Sequence, residues 1–271
     1  LVLSLQMYME FDKSSTMMQF VESYNWVPSI GVKHTLGVDG IGFPLVLLST
    51  IVTVLVIIYS WGETKKPNQY FALLLLNEVG VLGVFTALDF FLFYIFWEIV
   101  LIPMFFLIGS WGGPRKDYAA IKFFIYTHVA SLVMLLAIFA LYFTYQLPDG
   151  SRTFDMLTLL KATQNPEIFP PALLNIIFAG LLLGFLVKMP AFPFHTWLPD
   201  AHVEAPTAGS VVLAALLLKM GGYGLFRIIV PMLPSVDKIF VTIIAIIAVL
   251  SIVYGAFLAL AQKDIKKLVA Y

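Results

Sequence analysis

The sequence contains no cysteine among its 271 residues. This excludes disulfides and cysteine-ligated zinc or iron–sulfur sites within the chain. Charged residues are also scarce, at 12%, and 16 basic residues balance 16 acidic ones, so the formal net charge is zero. A neutral chain has no basic surplus with which to bind nucleic acid. The sequence also has no GxGxxG or other nucleotide-binding loop, no repeat at a spacing of 20–50 residues and no low-complexity tract.

What the chain has in excess is apolar residues. They make up 61% of the sequence, and the mean hydropathy is +0.94, whereas a soluble domain is usually about 45–50% apolar and about 25% charged. About 20 consecutive apolar residues span a bilayer as a helix, and such stretches recur along this chain. We therefore predict an all-α polytopic membrane protein whose seven complete transmembrane helices cover residues 41–61, 71–88, 90–111, 118–145, 172–198, 207–230 and 239–261.

The two ends of the sequence have the composition of interrupted elements. Residues 1–9 look like the tail of an eighth helix, and the first residue is Leu1 rather than methionine. The final AQKDIKKLVAY has the charged lead-in of another helix. We therefore expect the chain to be a single membrane domain, 1–271, and a fragment of a longer polypeptide.

Basic residues divide unequally between the two sides of the predicted bundle. On one side they lie in the short loops 62–69 and 112–117 and in the segment 262–267. On the other side they lie mostly in two long connections, 10–40 and 146–171. Because the positive-inside rule counts short loops most heavily, we predict that the side with the short basic loops is cytoplasmic.

A few ionisable side chains lie inside the predicted helices, where a charge costs about 2.5–3.5 kcal/mol to insert and normally faces a cavity or a partner. With a rise of about 1.5 Å per residue, Glu98 lies about 12 Å and Lys219 about 20 Å into their helices, and Lys188 lies past the middle of a straight helix. A lysine stem reaches only about 6 Å, so neither lysine can extend to an interface from such a depth.

Simpler interpretations apply to the other buried ionisable residues. Lys122, four residues into its helix, is expected to extend its amine to the interface. His128, within FFIYTHVASL, is better interpreted as a hydrogen-bonded interior histidine than as a proton carrier. For Glu78, packing and transport are equally well supported. For Lys188 and Lys219 the simpler alternative is a fixed salt bridge within a structural scaffold.

The segment FLVKMPAFPFHTWLPDAH, residues 185–202, places Lys188 beside helix-breaking residues. Pro190 and Pro193 lack an N–H and clash with the carbonyl one turn earlier, so we predict that the helix breaks between Lys188 and His195. Broken backbone is tolerated at membrane depth only where it lines a cavity or is buried in protein, and such breaks are typical of ion sites in transporters. We therefore predict a hydrated polar site that contains the lysine and the histidine.

These side chains suit proton transfer that is driven by electrostatics, without a covalent step. A buried amine is difficult to keep charged, and a neighbouring carboxylate stabilises its charged form. Glu98 close to Lys188 would hold the lysine charged, and separation of the two would let the lysine release its proton. Lys219 would then accept the proton through water or a histidine.

Several stretches resemble the antiporter-like subunits of NADH–quinone oxidoreductase, respiratory complex I. The core block is FLVKMPAFPFHTWLPDAHVEAPTAGSVVLAALLLKMGGYGL, residues 185–225. The M-type chain in particular is resembled by LGVDGIGFPLVLL, FFLFYIFWEIVLIPMFFLIGSWGG, AAIKFFIYT, APTAGSV and AQKDIKKLVAY. The resemblance implies that Glu98 is the carboxylate that partners the channel lysine and that Lys188 is this lysine, on the broken helix. It also implies that Lys219 is the central connecting lysine and His195 the histidine of the PFHTWLPDAH block.

The resemblance further implies two inverted five-helix repeats, each a proton half-channel. Residues 71–230 would form the first repeat, and residues 239–271 the start of the second. The implied function is that of a proton-translocating subunit of NADH:quinone oxidoreductase in the bacterial plasma membrane, in contact with lipid and with antiporter-like L- and N-type chains. No cofactor or metal site is implied in this chain, and NADH, FMN, iron–sulfur clusters and quinone are expected in partner subunits.

Two related assemblies are alternatives to complex I. One is a multi-subunit Na⁺/H⁺ antiporter, whose D chain shares LPDAH and the lysines, and the other is a relative linked to a hydrogenase or another dehydrogenase. The alanine–glycine pair in APTAGSV, residues 205–211, favours the M-type chain of complex I, because antiporter relatives more usually have PTPVS at this point.

Overall fold

The computed structural model describes residues 1–271, and seven of its helices are long and apolar enough to cross a membrane. In chain-order numbering they are α2 (Gly42–Tyr59), α3 (Pro67–Thr86), the pair α4 (Phe90–Ile99) and α5 (Leu101–Trp111), α6 (Lys116–Thr144), α8 (Pro171–Lys188), α10 (Thr207–Ser235) and α11 (Ile239–Leu260). The seven predicted transmembrane helices are therefore confirmed.

Shorter elements flank or connect these helices. They are α1 (Val2–Glu10), β1 (Gln19–Val27), β2 (Val32–Val38), α7 (Met156–Ala162), α9 (Trp197–Glu204) and α12 (Ile265–Ala270). The strands β1 and β2 pair as an antiparallel hairpin in the long connection before α2. The membrane part of the chain is entirely helical, as predicted, and the hairpin lies in a connection for which the sequence analysis assigns no structure.

The helices from α3 to α10 pack around one apolar core. α6 packs against α5, α8 and α9, while α3 packs against α2, α4 and α5, and the middle of α10 packs against α8. Large aromatic side chains, among them Trp97, Phe185 and Trp197, are fully buried in this core. In contrast, α11 buries none of its residues. The interior that can hold ionisable groups therefore lies between α3 and α10.

Hydrogen bonds bring the short basic loops to one end of the bundle. The Trp111 Nε1 donates to the Lys65 carbonyl at 2.7 Å, which joins the end of α5 to the loop before α3. The Gly113 N–H donates to the Glu204 carbonyl at 2.8 Å, which joins the loop before α6 to the end of α9. These loops share one end of the bundle, as expected for basic loops that obey the positive-inside rule.

The opposite end of the bundle is organised around Asp89, the residue before α4. Its carboxylate accepts the N–H groups of Phe91 at 2.9 Å and Leu92 at 3.1 Å, which caps the helix, and the N–H of Lys33 in β2 at 3.1 Å. Burial raises the pKa of this carboxyl, although the three hydrogen bonds oppose the effect. Asp89 therefore ties the hairpin to the start of the helix that carries Glu98.

Replacing Asp89 with alanine should lower the free energy of unfolding by about 2–3 kcal/mol. The substitution removes a helix N-cap, worth about 1 kcal/mol, and leaves buried N–H groups without an acceptor. Unfolding in detergent, followed by circular dichroism, measures the loss. Asp89→Asn is the matched control because asparagine caps helices equally well, and it should lose less than half as much. Equal losses in the two variants would contradict the capping role.

Candidate functional site

The helix that carries Lys188 ends at this residue, and α9 does not begin until Trp197. Two prolines lie between them, and proline cannot supply the N–H that continues a helix. The Trp197 Nε1 donates to the Val187 carbonyl at 3.0 Å, so a side chain replaces a backbone donor that the break removes. The predicted break is confirmed. The predicted span 172–198 extends too far, because the helix stops at the lysine rather than continuing through the prolines.

Lys188 is buried in aromatic surroundings. Only 1% of its surface is exposed, and its Nζ has no hydrogen-bond partner within the chain. The Nζ lies 5.2 Å from the centroid of the Trp97 ring, a distance at which the face of an indole attracts a cation. Trp97 packs edge-to-face against Phe185, with ring centroids 5.6 Å apart. The amine therefore has an aromatic neighbour but no anion in contact with it.

The carboxylate of Glu98 is bound to His128 rather than to Lys188. Its Oε2 lies 2.8 Å from the His128 Nδ1, whereas its Oε1 is buried without a partner. No ion pair joins Glu98 to Lys188. Of the two arrangements that the sequence predicts for this pair, close and separated, the structure therefore has the separated one.

The backbone next to Glu98 is also interrupted. α4 ends at Ile99, because Pro103 lacks the N–H that would bond to the Ile99 carbonyl. The Asn77 side-chain amide donates to the Val100 carbonyl at 3.4 Å, and the amide oxygen of Asn77 is buried without a partner. Asn77 and Glu98 thus each place an unpaired oxygen in the interior, beside an interrupted helix.

A cavity of about 240 Å³ lies beside the break after α8. His195 lines this cavity, and its Nδ1 is buried without a hydrogen-bond partner. Met189 also lines it, but Lys188 does not. The predicted hydrated site therefore lies next to the lysine rather than around it. Lys188 and His195 do not share a helix face, because the helix ends between them.

Lys219 lies in a second cavity, of about 390 Å³. Its Nζ donates to the Ala214 carbonyl at 2.8 Å. Two π-type turns, Leu213–Leu217 and Leu225–Ile229, widen α10 on either side of this lysine, and such turns are frequent at functional sites. The two cavities adjoin each other. Their shared wall residues are Leu198, Leu218 and Ala270.

The helices that carry the two lysines approach each other closely at Gly221. A Cβ atom at this position would lie 2.8 Å from the Met189 backbone nitrogen and 2.9 Å from the Phe185 carbonyl oxygen. These distances are too short for a side chain, so the contact between α8 and α10 requires glycine here. Lys188 and Lys219 are therefore carried by helices in direct backbone contact.

The segment after the break is held by contacts to the start of α6. The Lys122 Nζ lies 2.7 Å from the Asp200 Oδ2, and the Arg115 backbone N–H donates to the Glu204 Oε2 at 2.9 Å. The sequence analysis does not name Asp200 as the partner of Lys122. The lysine binds α9 because a carboxylate lies within its reach.

The family of the chain follows from its sequence match. Residues 87–271 match the family described as NADH:quinone oxidoreductase/Mrp antiporter, TM. The chain belongs to this family. It is 50% identical over 273 residues to the F(420)H(2) dehydrogenase subunit M of Methanosarcina mazei, with 99% of this chain and 54% of the relative covered. It is 42% identical over 271 residues to the NADH-quinone oxidoreductase subunit M of Rickettsia typhi, with 100% of this chain and 53% of the relative covered.

A solved structure agrees with membership in the NADH:quinone oxidoreductase/Mrp antiporter family. A chain in the structure described as respiratory complex I from Thermus thermophilus with bound NADH matches with a TM-score of 0.82 and 30% identity. The match covers 100% of this chain and 54% of that chain. The predicted family, the antiporter-like fold and the multi-pass membrane location are thus confirmed. This family member spans about half the length of the curated relatives that it matches.

The sequence analysis does not identify the partner of Glu98. His128 is interpreted as a hydrogen-bonded interior histidine. The structure shows its hydrogen bond, to Glu98, but the side chain is 37% exposed and so is not fully interior, and the sequence does not reveal its partner. The available signal is that His128 and Glu98 lie on neighbouring spans and are both embedded in apolar residues. Glu78, for which packing and transport are equally supported, is half-buried on α3 and forms no ion pair.

Proposed function

We propose that this chain forms a proton half-channel in the membrane part of a respiratory dehydrogenase of the NADH–quinone oxidoreductase type. Residues 71–230 form the five-helix unit that holds the channel, and residues 239–271 begin a second unit. Glu98, Lys188, His195 and Lys219 move the proton. Electron transfer takes place in other subunits and drives the proton electrostatically.

The observation that carries this proposal is the burial of Lys188 without a fixed anion. A permanently charged ammonium group costs several kcal/mol in such a site unless it is paired, and intramembrane lysines normally have a partner or line a proton pathway. Lys188 and Lys219 both lack an ion-pair partner, which is inconsistent with a scaffold built on fixed salt bridges. The geometry suits an amine that is charged only while Glu98 is close.

The proposed route follows the two cavities. Lys188 holds a proton when Glu98 is close and releases it when Glu98 moves away, as in the present arrangement. His195, in the cavity beside the break, receives the proton and passes it across the shared apolar wall to Lys219. Both cavities are large enough for several water molecules, each of which occupies about 30 Å³. Entry of water past the wall residues Leu198 and Leu218 would connect the cavity that contains His195 to the cavity that contains Lys219.

Replacing Lys219 with alanine tests this route. In the assembled complex, reconstituted in vesicles, the variant should pump about tenfold fewer protons per electron, because the amine that receives the proton is missing. Electron transfer in the presence of an uncoupler should fall much less. Lys161→Ala, an exposed lysine on α7, is the control and should pump normally. A normal yield in Lys219→Ala would contradict the route.

The names of the relatives support assignment to a respiratory assembly and suggest two candidate electron donors. They describe subunits of an F(420)H(2) dehydrogenase and of NADH-quinone oxidoreductases. We propose antiporter-like chains of the L and N types as neighbours, with NADH, FMN, iron–sulfur clusters and quinone bound in partner subunits. The higher identity to the Methanosarcina chain favours F(420)H(2) as a second candidate donor. Inverted membranes supplied with each donor in turn distinguish the two, because only the correct donor drives proton uptake.

A further inference from the structure

The proposed route does not use the contact between His128 and Glu98. The His128 ring stacks on Phe124, one turn earlier on α6, with ring centroids 5.3 Å apart and planes at 17°. This stacking fixes the orientation of the ring, and the Nδ1 lies 2.8 Å from the Glu98 Oε2. The side chain of His128 is 37% exposed, so the ring is not sealed inside the core. His128 is therefore a partner of the carboxylate whose ring is held in one orientation.

A hydrogen bond between these two atoms requires a proton between them. A neutral histidine with its proton on Nδ1 supplies one, and an imidazolium supplies one together with a positive charge. A histidine with its proton on Nε2 accepts instead, which requires a protonated Glu98 carboxyl. In each case the pair holds an exchangeable proton, and a neutral ring can bind one more at its unprotonated nitrogen, which converts it to an imidazolium.

Glu98 has one carboxylate to share between two basic groups. The Glu98 Oε1 and the Lys188 Nζ are both buried without hydrogen-bond partners, while the other oxygen is held by His128. Glu98 forms no ion pair with Lys188, so contact with the lysine requires the carboxylate to move. A movement that breaks the bond to His128 makes the two basic groups, on α6 and α8, competitors for one carboxylate.

We propose that His128 is a positioning residue that draws Glu98 away from Lys188. When His128 takes up a proton, the charge-assisted hydrogen bond holds the carboxylate on α6, and Lys188, without its anion, releases its own proton. His128 then gives its proton to the Glu98 carboxylate, which moves to the lysine and delivers the proton there, so that Lys188 is recharged and His128 is neutral again. One proton enters at the histidine for each one that leaves the lysine. The inference rests on the proposed function, because it assigns the switch inside that channel.

Several other titratable groups lie on α6 and on the elements packed against it, but only Glu98 bonds to His128. The elements packed against α6 are α4, α5, α8 and α9. α4 contributes Tyr94 and Glu98, α5 contributes none, and α8 contributes Lys188. The nearby groups on α6 and α9 are Lys122, Tyr126, Asp200, His202 and Glu204, and of these Lys122 and Asp200 bind each other. Glu98 is thus the charged group in contact with His128.

The variant His128→Asn tests the inference. The amide nitrogen of asparagine occupies the position of Nδ1 and can donate to Glu98, but it cannot bind a proton. In the assembled complex in vesicles we expect the pumping rate to fall about tenfold, since a neutral hydrogen bond is weaker than a charge-assisted one. The pH profile of pumping should also change, because asparagine has no group that takes up a proton. The matched control His34→Asn, in β2, should leave the rate and the profile unchanged.

A double variant separates positioning from an independent role. Because His128 acts through Glu98, adding His128→Asn to Glu98→Gln should cause no further loss of pumping. A further tenfold loss in the double variant would overturn the inference. A His128→Asn variant that pumps at the wild-type rate, with the wild-type pH profile, would also overturn the inference. Should this variant fail to assemble, His128→Gln is measured in the same way, with the same expectations.

The variant Lys188→Ala distinguishes failure of this inference from failure of the proposed function. If Lys188→Ala pumps normally, the proposed function is wrong, whatever His128 does. If Lys188→Ala does not pump while His128→Asn matches the wild type at every pH, the proposed function stands and only the role of His128 is wrong.

Discussion

Replacing Lys188 with alanine should lower the rate of proton pumping by about a hundredfold, the scale on which enzymes lose activity when a positioned proton-transfer group is removed. Lys188 is the buried amine at the break, and Lys219 lies in a separate cavity with its Nζ bound to the Ala214 carbonyl. No second amine is therefore placed to replace it. A pH-sensitive dye in vesicles measures pumping while oxidation of the electron donor is followed in the same sample.

The variant Lys188→Arg separates proton exchange from the need for positive charge. The guanidinium group keeps the charge but does not lose its proton in a protein. Lys188→Arg should therefore assemble, as judged by native electrophoresis, yet pump as poorly as Lys188→Ala. Pumping by the arginine variant at the wild-type rate would show that the residue supplies only a fixed charge.

The second large effect is expected on stability, at Asp39, the residue that links the hairpin connection to α10. The Arg227 Nη2 lies 2.5 Å from the Asp39 Oδ1, and the Arg227 Nε donates to the Tyr223 hydroxyl at 3.2 Å. The two charged side chains are only 14% and 9% exposed. Asp39→Asn leaves the arginine buried without its anion and should cost about 3–5 kcal/mol.

A double-mutant cycle isolates this ion pair from other effects of the substitution. Asparagine preserves an acceptor for the N–H groups of Ile41 and Gly42, which Asp39 binds at 3.0 Å. Arg227→Met removes the charge on the other side. The double variant should be more stable than Asp39→Asn alone, because no unpaired charge is left in the core. The midpoint of thermal unfolding in detergent measures each member of the cycle, and additive losses would contradict the pairing.

The membrane-spanning helices could be predicted from the sequence because their lengths are set by the bilayer. A stretch of about 20 apolar residues has few other stable arrangements, and the short loops carry clear turn residues. The hairpin β1–β2 could not be predicted in the same way. β1 is mostly exposed and the buried residues of β2 do not alternate regularly with exposed ones, so apolar alternation does not mark the strands. They are held by contacts distant in sequence, such as the bond from Lys33 to Asp89.

The break at Lys188 could be predicted from residues nearby in the sequence. The partners of the buried charges could not. Proline acts on its own helix, so Pro190 and Pro193 predict where α8 ends. The choice between Lys188 and His128 as the partner of Glu98 depends on how α4, α6 and α8 pack. For the same reason the sequence could not show that Lys122 reaches Asp200, in a helix that follows much later in the chain.

The end of α8 at Lys188 also sets the electrostatic background against which any carboxylate acts. The aligned peptide dipoles of a helix place about half a negative charge at its C-terminus, and Lys188 is the last residue of this 18-residue helix. This backbone field stays constant while side chains rearrange. It supplies a permanent share of the stabilisation of the ammonium form, so in the proposed channel the Glu98 carboxylate has to supply only the remainder.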